Sequence, residues 1–149
     1  MLRVTKLTDY ATVVLTVLAA EPGAVLSASG LAERAGLEAP TVAKLLKPLA
    51  QAGLVQAFRG AAGGYRLARP AAEISLVEII EAMEGPVAMT ECSVHDGQCG
   101  IEHSCGARAN WRRINEVVAD ALRRVSLADM ALPEGAPPRK TIPVALDAR

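Results

Sequence analysis

Hydrophobic residues recur along the first third of the chain at helical intervals, broken by short polar or glycine-bearing stretches. Thr8 can cap a first helix with Asp9 in its first turn; Tyr10, Val13, Val14, Val17 and Leu18 then keep a helical period until "EPG" (Glu21 to Gly23) ends it. Ser27 can cap a second, short helix with Leu31, Ala32 and Ala35 on its apolar side and a stop at Gly36. A third helix spans about Pro40 to Ala52, with Val42, Leu45, Leu46 and Leu49 on one side. Pro40 suits a first helical turn, but Pro48 lacks the N–H that an interior turn requires and predicts a kink or an early end.

The period then changes. "LVQAFRGAAGGYRLA", Leu54 to Ala68, has two short β-prone arms around a tip that holds Gly60, Gly63 and Gly64, the pattern of a hairpin with a loop of several residues. Neither G-x-G-x-x-G nor G-x-x-x-x-G-K-[ST] occurs, so this is not a phosphate-binding loop. Ser75 can cap a fourth helix, "SLVEIIEAMEG", closing at Gly85–Pro86. Ala107 to Arg124 predicts a long helix whose apolar positions Trp111, Ile114, Val118, Ala121 and Val125 alternate by three and four, an a/d-like seam. Arg112, Arg113, Glu116, Asp120, Arg123 and Arg124 surround it at pairing distance. From Pro133 on, Pro, Gly and charges without periodicity predict a disordered tail.

The expected fold is mostly α: a winged helix-turn-helix (residues 1–85), a cysteine-rich loop (86–106), a long C-terminal dimerisation helix (107–132) and the tail (133–149). With 51% hydrophobic residues but only one Trp, two Tyr and one Phe, the core must be aliphatic, which suits packed helices. A formal net charge of zero at first argues against a nucleic-acid partner. The distribution reverses that argument: residues 1–70 carry eight Lys/Arg against four acids, and the remainder eight against twelve. The basic front half is where a phosphate backbone would bind.

Arg3 and Lys6 before an apolar run imitate an export leader, but Asp9, Tyr10 and the helical periodicity do not fit one. No run reaches the roughly 20 apolar residues of a membrane span. Three cysteines cannot all pair within one chain, so the expected setting is reducing cytoplasm. Two histidines and no nucleophile–base pairing leave little from which to assemble an enzyme.

Two helices joined around Gly36 and followed by a glycine-tipped hairpin put the third helix in a major groove of double-stranded DNA and the hairpin on the neighbouring backbone or minor groove. The expected DNA-contacting residues are Pro40, Thr41, Lys44 and Lys47 on that helix, Arg59 at the wing tip, and Gly63 and Gly64, which permit close backbone approach.

All three cysteines lie in "ECSVHDGQCGIEHSCG", Glu91 to Gly106, spaced C-x6-C-x5-C. Zinc sites usually show C-x2-4-C pairs, which are missing, so structural zinc is disfavoured. Wide separations on a loop with Gly97, Gly100 and Gly106 suit Cys92, Cys99 and Cys105 as thiolates around an iron–sulfur cluster of two or four irons. An electron-transfer iron–sulfur protein and a zinc- or thiol-based regulator are the rival readings.

"LTDYA", "LAERAGLEAPTVAKLLKPLAQAGLV", "RGAAGGYRLA" and the clustered cysteines followed by "RANWRRIN" resemble the bacterial winged-helix regulators of iron–sulfur cluster assembly, over about residues 1–132. That family includes the Isc-system regulator and the nitric-oxide-sensing repressor, and the cysteine stretch is most similar to the branch that regulates the SUF assembly system. The resemblance implies a homodimer on a two-fold operator, with a cluster that tunes affinity for DNA. The Isc-type histidine ligand, three residues after the last cysteine, is Arg108 here, which stays protonated and cannot ligate. In the nitric-oxide-sensing branch an aspartate of the "TDY" stretch ligates across the dimer, which makes Asp9 of the partner subunit the expected fourth ligand. His103 is the local alternative, with His95 and Glu91 weaker.

Overall fold

A computed structural model of the chain describes residues 3–90, 93, 100–101 and 104–132. The expectations for Glu91, Cys92, His95, Cys99, His103 and the tail 133–149 lie outside those residues. Helix α1 spans Lys6–Ala20, α2 Ala28–Ala35 and α3 Ala39–Gln51. Strands β1, Val55–Phe58, and β2, Gly64–Leu67, form the hairpin in antiparallel register, Val55 opposite Leu67 and Phe58 opposite Gly64. A 3-10 turn at Ala71–Glu73 leads to α4, Leu76–Glu84; α5 is Arg108–Arg124 and α6 Leu127–Met130. The fold is mostly α with one small sheet, the winged helix-turn-helix with a long helix towards its C-terminal end.

The aliphatic core forms where α1, α2 and α3 meet: Val14, Leu15, Leu31, Val42, Leu45, Leu46 and Leu49 are all fully buried. The face expected for α3 is the one that packs. That of α1 is rotated: its buried stripe is Thr8, Ala11, Thr12, Val14, Leu15 and Leu18, with Tyr10, Val13 and Val17 only partly covered. The helix is apolar on more than one side because α2, α3, α4, α6 and β2 all pack on it, so period alone could not choose its innermost stripe. Pro48 does not end α3, which continues to Gln51. Buried Leu45, Leu46 and Leu49 hold the last turn against the core, and Lys44, whose carbonyl loses the i+4 donor, is exposed to water.

The start of α1 also differs. Thr5, not Thr8, is the N-cap, accepting from the Thr8 N–H at 3.3 Å. Thr8 is instead buried, and its hydroxyl donates to the Glu84 carboxylate at the end of α4. The Thr5 N–H donates to the same Glu84 oxygen at 2.8 Å. This latch joins the first turn of α1 to the last turn of α4. The Thr8 and Thr5 bonds hold the Glu84 carboxyl below its ordinary range.

Ser75 caps α4 as expected, within a capping box with Glu78. Burial alone would raise the Glu78 carboxyl, but Ser75 and the Arg69 guanidinium at 2.7 Å lower it on balance. The long helix expected from Ala107 to Arg124 is α5, and a short further helix follows it. The chain turns at Val125, Ser126 caps α6, and backbone bonds from Leu76 N–H to the Val125 carbonyl and Leu127 N–H to the Ile74 carbonyl, both 2.8 Å, tie the turn to the start of α4. Leu127 is then fully buried in the core of the N-terminal unit, because an apolar side chain there gains more from the leucine core than from extending α5 into water.

Gly63 and Gly64 serve the wing's own packing. A Cβ at Gly63 would lie 2.8 Å from the Gly60 carbonyl oxygen, and one at Gly64 2.6 Å from the Leu26 carbonyl carbon. Gly64 is buried because Leu26 and Tyr65 exchange backbone bonds of 2.9 and 2.8 Å, which makes the segment before α2 a third partner of the hairpin. The close approach that Gly64 permits is therefore to Leu26, within the protein.

Gly64→Ala is expected to cost about 1–3 kcal/mol in urea unfolding by overpacking against Leu26, whereas Gly60→Ala should leave that contact intact. A second expectation concerns acid. Glu84 and Glu78 have folded-state values below the ordinary 4.5, so their contribution is complete above that pH and is lost as pH falls through the lowered values. The urea midpoint should drop below about pH 4.5, and Glu84→Gln should make that drop shallower.

Candidate nucleic-acid interface and cysteine loop

Helices α2 and α3 are joined by a turn in which Gly36 adopts φ 65°, ψ 31°, the left-handed conformation that ends α2. The turn lets α3 cross α2 with its leucine side inward, so the opposite side is left to solvent: Pro40, Ala43, Lys44 and Lys47 are exposed and Thr41 half-buried. Ala43 lies beside the two lysines on this face and was not singled out in the sequence. Arg59 is exposed at the wing tip.

Ion pairing sorts the basic residues of the front half. Arg34 is paired with Glu21, and Arg69 with Glu78. Lys44, Lys47 and Arg59 make no ion pair among the described residues. Part of the basic excess is thus left open on α3 and the wing tip. Arg66, counted before only as charge, stacks over Phe58 at 4.7 Å and donates to Gln56 at 3.0 Å, which fixes its guanidinium on the wing. Only the cross-strand placement of Gln56 opposite Arg66 brings these groups together.

Beyond α4, Gly85 (φ 85°, ψ −172°) and Pro86 turn the chain into a connector that runs along α5. A groove of about 760 Å³ opens here, lined by Val4, Glu84, the connector, Trp111, Val118 and Leu122 among others. On α5, Ala119 is buried and Val118 and Ala121 are half-buried, as is Val125 just beyond it, but Trp111, Ile114 and Val117 are 39%, 43% and 49% exposed. The N-terminal part of the expected seam is therefore an open apolar strip, which Val117 widens. Asp120 and Arg123 pair on another side of the helix.

Of the candidate ligands, Cys105 is a half-buried free cysteine just before α5, and Asp9 is exposed on the first turns of α1. Among the described residues no group of three or more His, Cys, Asp or Glu gathers to hold a metal. None of the described helices is long and apolar enough to cross a membrane.

Comparison with known proteins agrees with this architecture. A protein of Rhizobium meliloti, aau3, is 34% identical over 130 residues, 87% of this chain and 84% of its own. The HTH-type transcriptional regulator IscR of Xenorhabdus nematophila is 33% identical over 100 residues, 67% of this chain and 60% of its own. Among solved structures, CymR, the global cysteine regulator of B. subtilis, superposes with a TM-score of 0.68 at 30% identity, covering 88% of this chain and 97% of that one. The IscR of T. potens gives 0.64 at 30% identity, with 87% and 85% covered. The relatives named for a role are transcriptional regulators rather than enzymes. With the model of the Rrf2 family, iron-dependent transcriptional regulators, matching residues 4–132, this winged-helix chain belongs to that family.

Proposed function

We propose that the protein is a cytoplasmic, homodimeric regulator whose affinity for operator DNA is set by an iron–sulfur cluster on Cys92, Cys99 and Cys105, acting as a repressor on cluster-assembly genes of the SUF type. The observation that carries the reading is one of connectivity: the segment holding every cysteine is inserted between the DNA-binding unit and the long helix with its open apolar strip. Whatever those thiols hold acts on the joint between reader and dimer seam.

On the DNA side, Thr41, Lys44 and Lys47 face the major groove and Arg59 the adjacent backbone, with Pro40 starting the helix without an N–H to satisfy. Gly63 and Gly64 support this indirectly, by seating the wing that carries Arg59. On the dimer side, Trp111, Ile114 and Val117 pack on the same strip of a second copy, since a contiguous exposed apolar face on a charged helix marks an interaction surface. Two such units present their α3 helices to successive major grooves about 34 Å apart.

Three thiols in one glycine-bearing loop are a donor set of the right chemistry for a cluster, and Arg108 leaves the fourth position to another residue. Asp9 is the fourth ligand in this reading, supplied by the partner subunit: it is exposed, on the helix whose first turn is latched to α4. His103 is the alternative. A bound cluster would supply a redox- and iron-sensitive cross-link at that joint. The chain's own part is to present the thiolates and to favour one placement of α5 over another, the only thermodynamic route by which a cofactor can alter DNA affinity. The similarity to CymR, a cysteine regulator solved in Staphylococcus aureus also in an oxidised form, favours a second reading, in which the thiols themselves are the sensor.

Protein purified and reconstituted with iron and sulfide under nitrogen should be brown, with visible charge-transfer bands that Cys105→Ala abolishes. Asp9→Ala should alter the spectrum and His103→Ala leave it unchanged; the reverse would transfer the fourth position to His103, and a colourless wild type would favour the thiol reading. In gel-shift titrations across salt, Lys44→Ala and Lys47→Ala should each weaken binding and reduce the log–log salt slope by about one. A salt-independent affinity would remove the DNA interface assigned to α3.

A further inference from the structure

The side chain of Asn115 grips the connector between α4 and the cysteine loop at two points. Asn115, half-buried on α5, donates from Nδ2 to the Val87 carbonyl at 3.1 Å, and its Oδ1 accepts from the Met89 N–H at 3.1 Å. A side-chain amide offers the same donor and acceptor as a peptide unit, so Asn115 holds the connector as a neighbouring strand would, pairing the C=O of one residue and the N–H two residues on. The chain leaves this grip at Met89, runs through the residues that hold all three cysteines, and returns at Cys105 to the first turn of α5. Both ends of the cysteine loop are thereby fastened to one helix, the outgoing end by Asn115 and the returning end by the chain itself.

The other side of the connector has its own fastening. Glu84, two residues before Pro86, is bound to Thr5 and Thr8 of α1. Between the two attachments lie only Gly85, at positive φ, and Pro86, which has no N–H to donate. A displacement of α5 relative to the DNA-binding unit must therefore be taken up across Gly85–Pro86 or break the Asn115 pair.

We propose that Asn115 is a positioning residue, which fixes the start of the cysteine loop to α5 so that the state of the thiols is delivered to the dimer seam rather than dissipated in the connector. This rests on the reading of the loop given above. Leucine at this position keeps the size of the side chain and removes both bonds. Aspartate keeps the acceptor for Met89 but turns a carboxylate oxygen towards the Val87 carbonyl. The two variants separate the contribution of each bond.

The test uses the full-length protein, with and without anaerobic iron and sulfide reconstitution, on a duplex selected from random DNA by the wild type. In Asn115→Leu, the Met89 amide should exchange with solvent at least about tenfold faster, with Asn115→Asp intermediate. Operator affinity of the cluster-free form should match wild type, while the difference between cluster-bound and cluster-free affinities should shrink about tenfold. A side chain that merely stabilised the fold would weaken both forms alike. Unchanged Met89 exchange, or an affinity difference that survives opening of the grip, would overturn the proposal. A wild type that takes up no cluster sinks the cluster reading instead, and Met89 exchange then still decides whether Asn115 holds the connector.

Discussion

Burial of Leu127 fixes where the C-terminal end of the long helix sits. A residue from the far end of the described chain completes a core otherwise built from α1 to α4, and backbone bonds to Ile74 and Leu76 lock the turn that delivers it. The long helix is thus no free arm. Its C-terminal end is anchored to the DNA-binding unit, and its N-terminal part reaches that unit through the connector held by Asn115. A leucine seated in such a core is worth several kcal/mol, about 2–5 in truncation series, so the anchorage is strong compared with the hydrogen bonds at the connector. The weaker attachment of α5 is therefore the one nearer the cysteine-bearing segment.

Electrostatics supports the same division of labour. A neutral chain conceals opposite halves, and the fold then neutralises selected cations with acids, Arg34 with Glu21 and Arg69 with Glu78. These exposed or half-exposed pairs add about 1 kcal/mol or less each. Their greater consequence is for the residues they exclude: Lys44 and Lys47 on α3 and Arg59 at the wing tip keep their charge open on the face proposed for DNA. Arg66 is shaped differently, held by Phe58 and Gln56 so that the wing presents a guanidinium of fixed direction.

Much of this was legible from the order of residues. The α3 stripe of Val42, Leu45, Leu46 and Leu49, the stop at Gly36, the hairpin arms and the Ser75 cap follow from local periods and from side chains that bond within three residues of themselves. Local interactions of this kind have their partners fixed by sequence spacing. Where several neighbours competed for one helix, spacing was insufficient. Thr8 could have capped α1, but Glu84, 76 residues away, claims its hydroxyl and leaves the cap to Thr5. Of the kink or early end expected at Pro48, the early end does not occur: three buried leucines carry α3 past it.

By itself, then, the sequence determined the helix order, the wing, the aliphatic nature of the core and the confinement of every thiol to one loop, because each depends on composition or on contacts a few residues apart. Only the tertiary structure decided which cations stay unpaired, that Gly64 packs on Leu26, that the seam of α5 is open at Trp111, Ile114 and Val117, and that Asn115 and Glu84 bracket the connector. The Gly64, Asn115 and Glu84 contacts join residues from 26 to 79 positions apart. Their energies depend on distances that chain folding creates, and no local pattern encodes them.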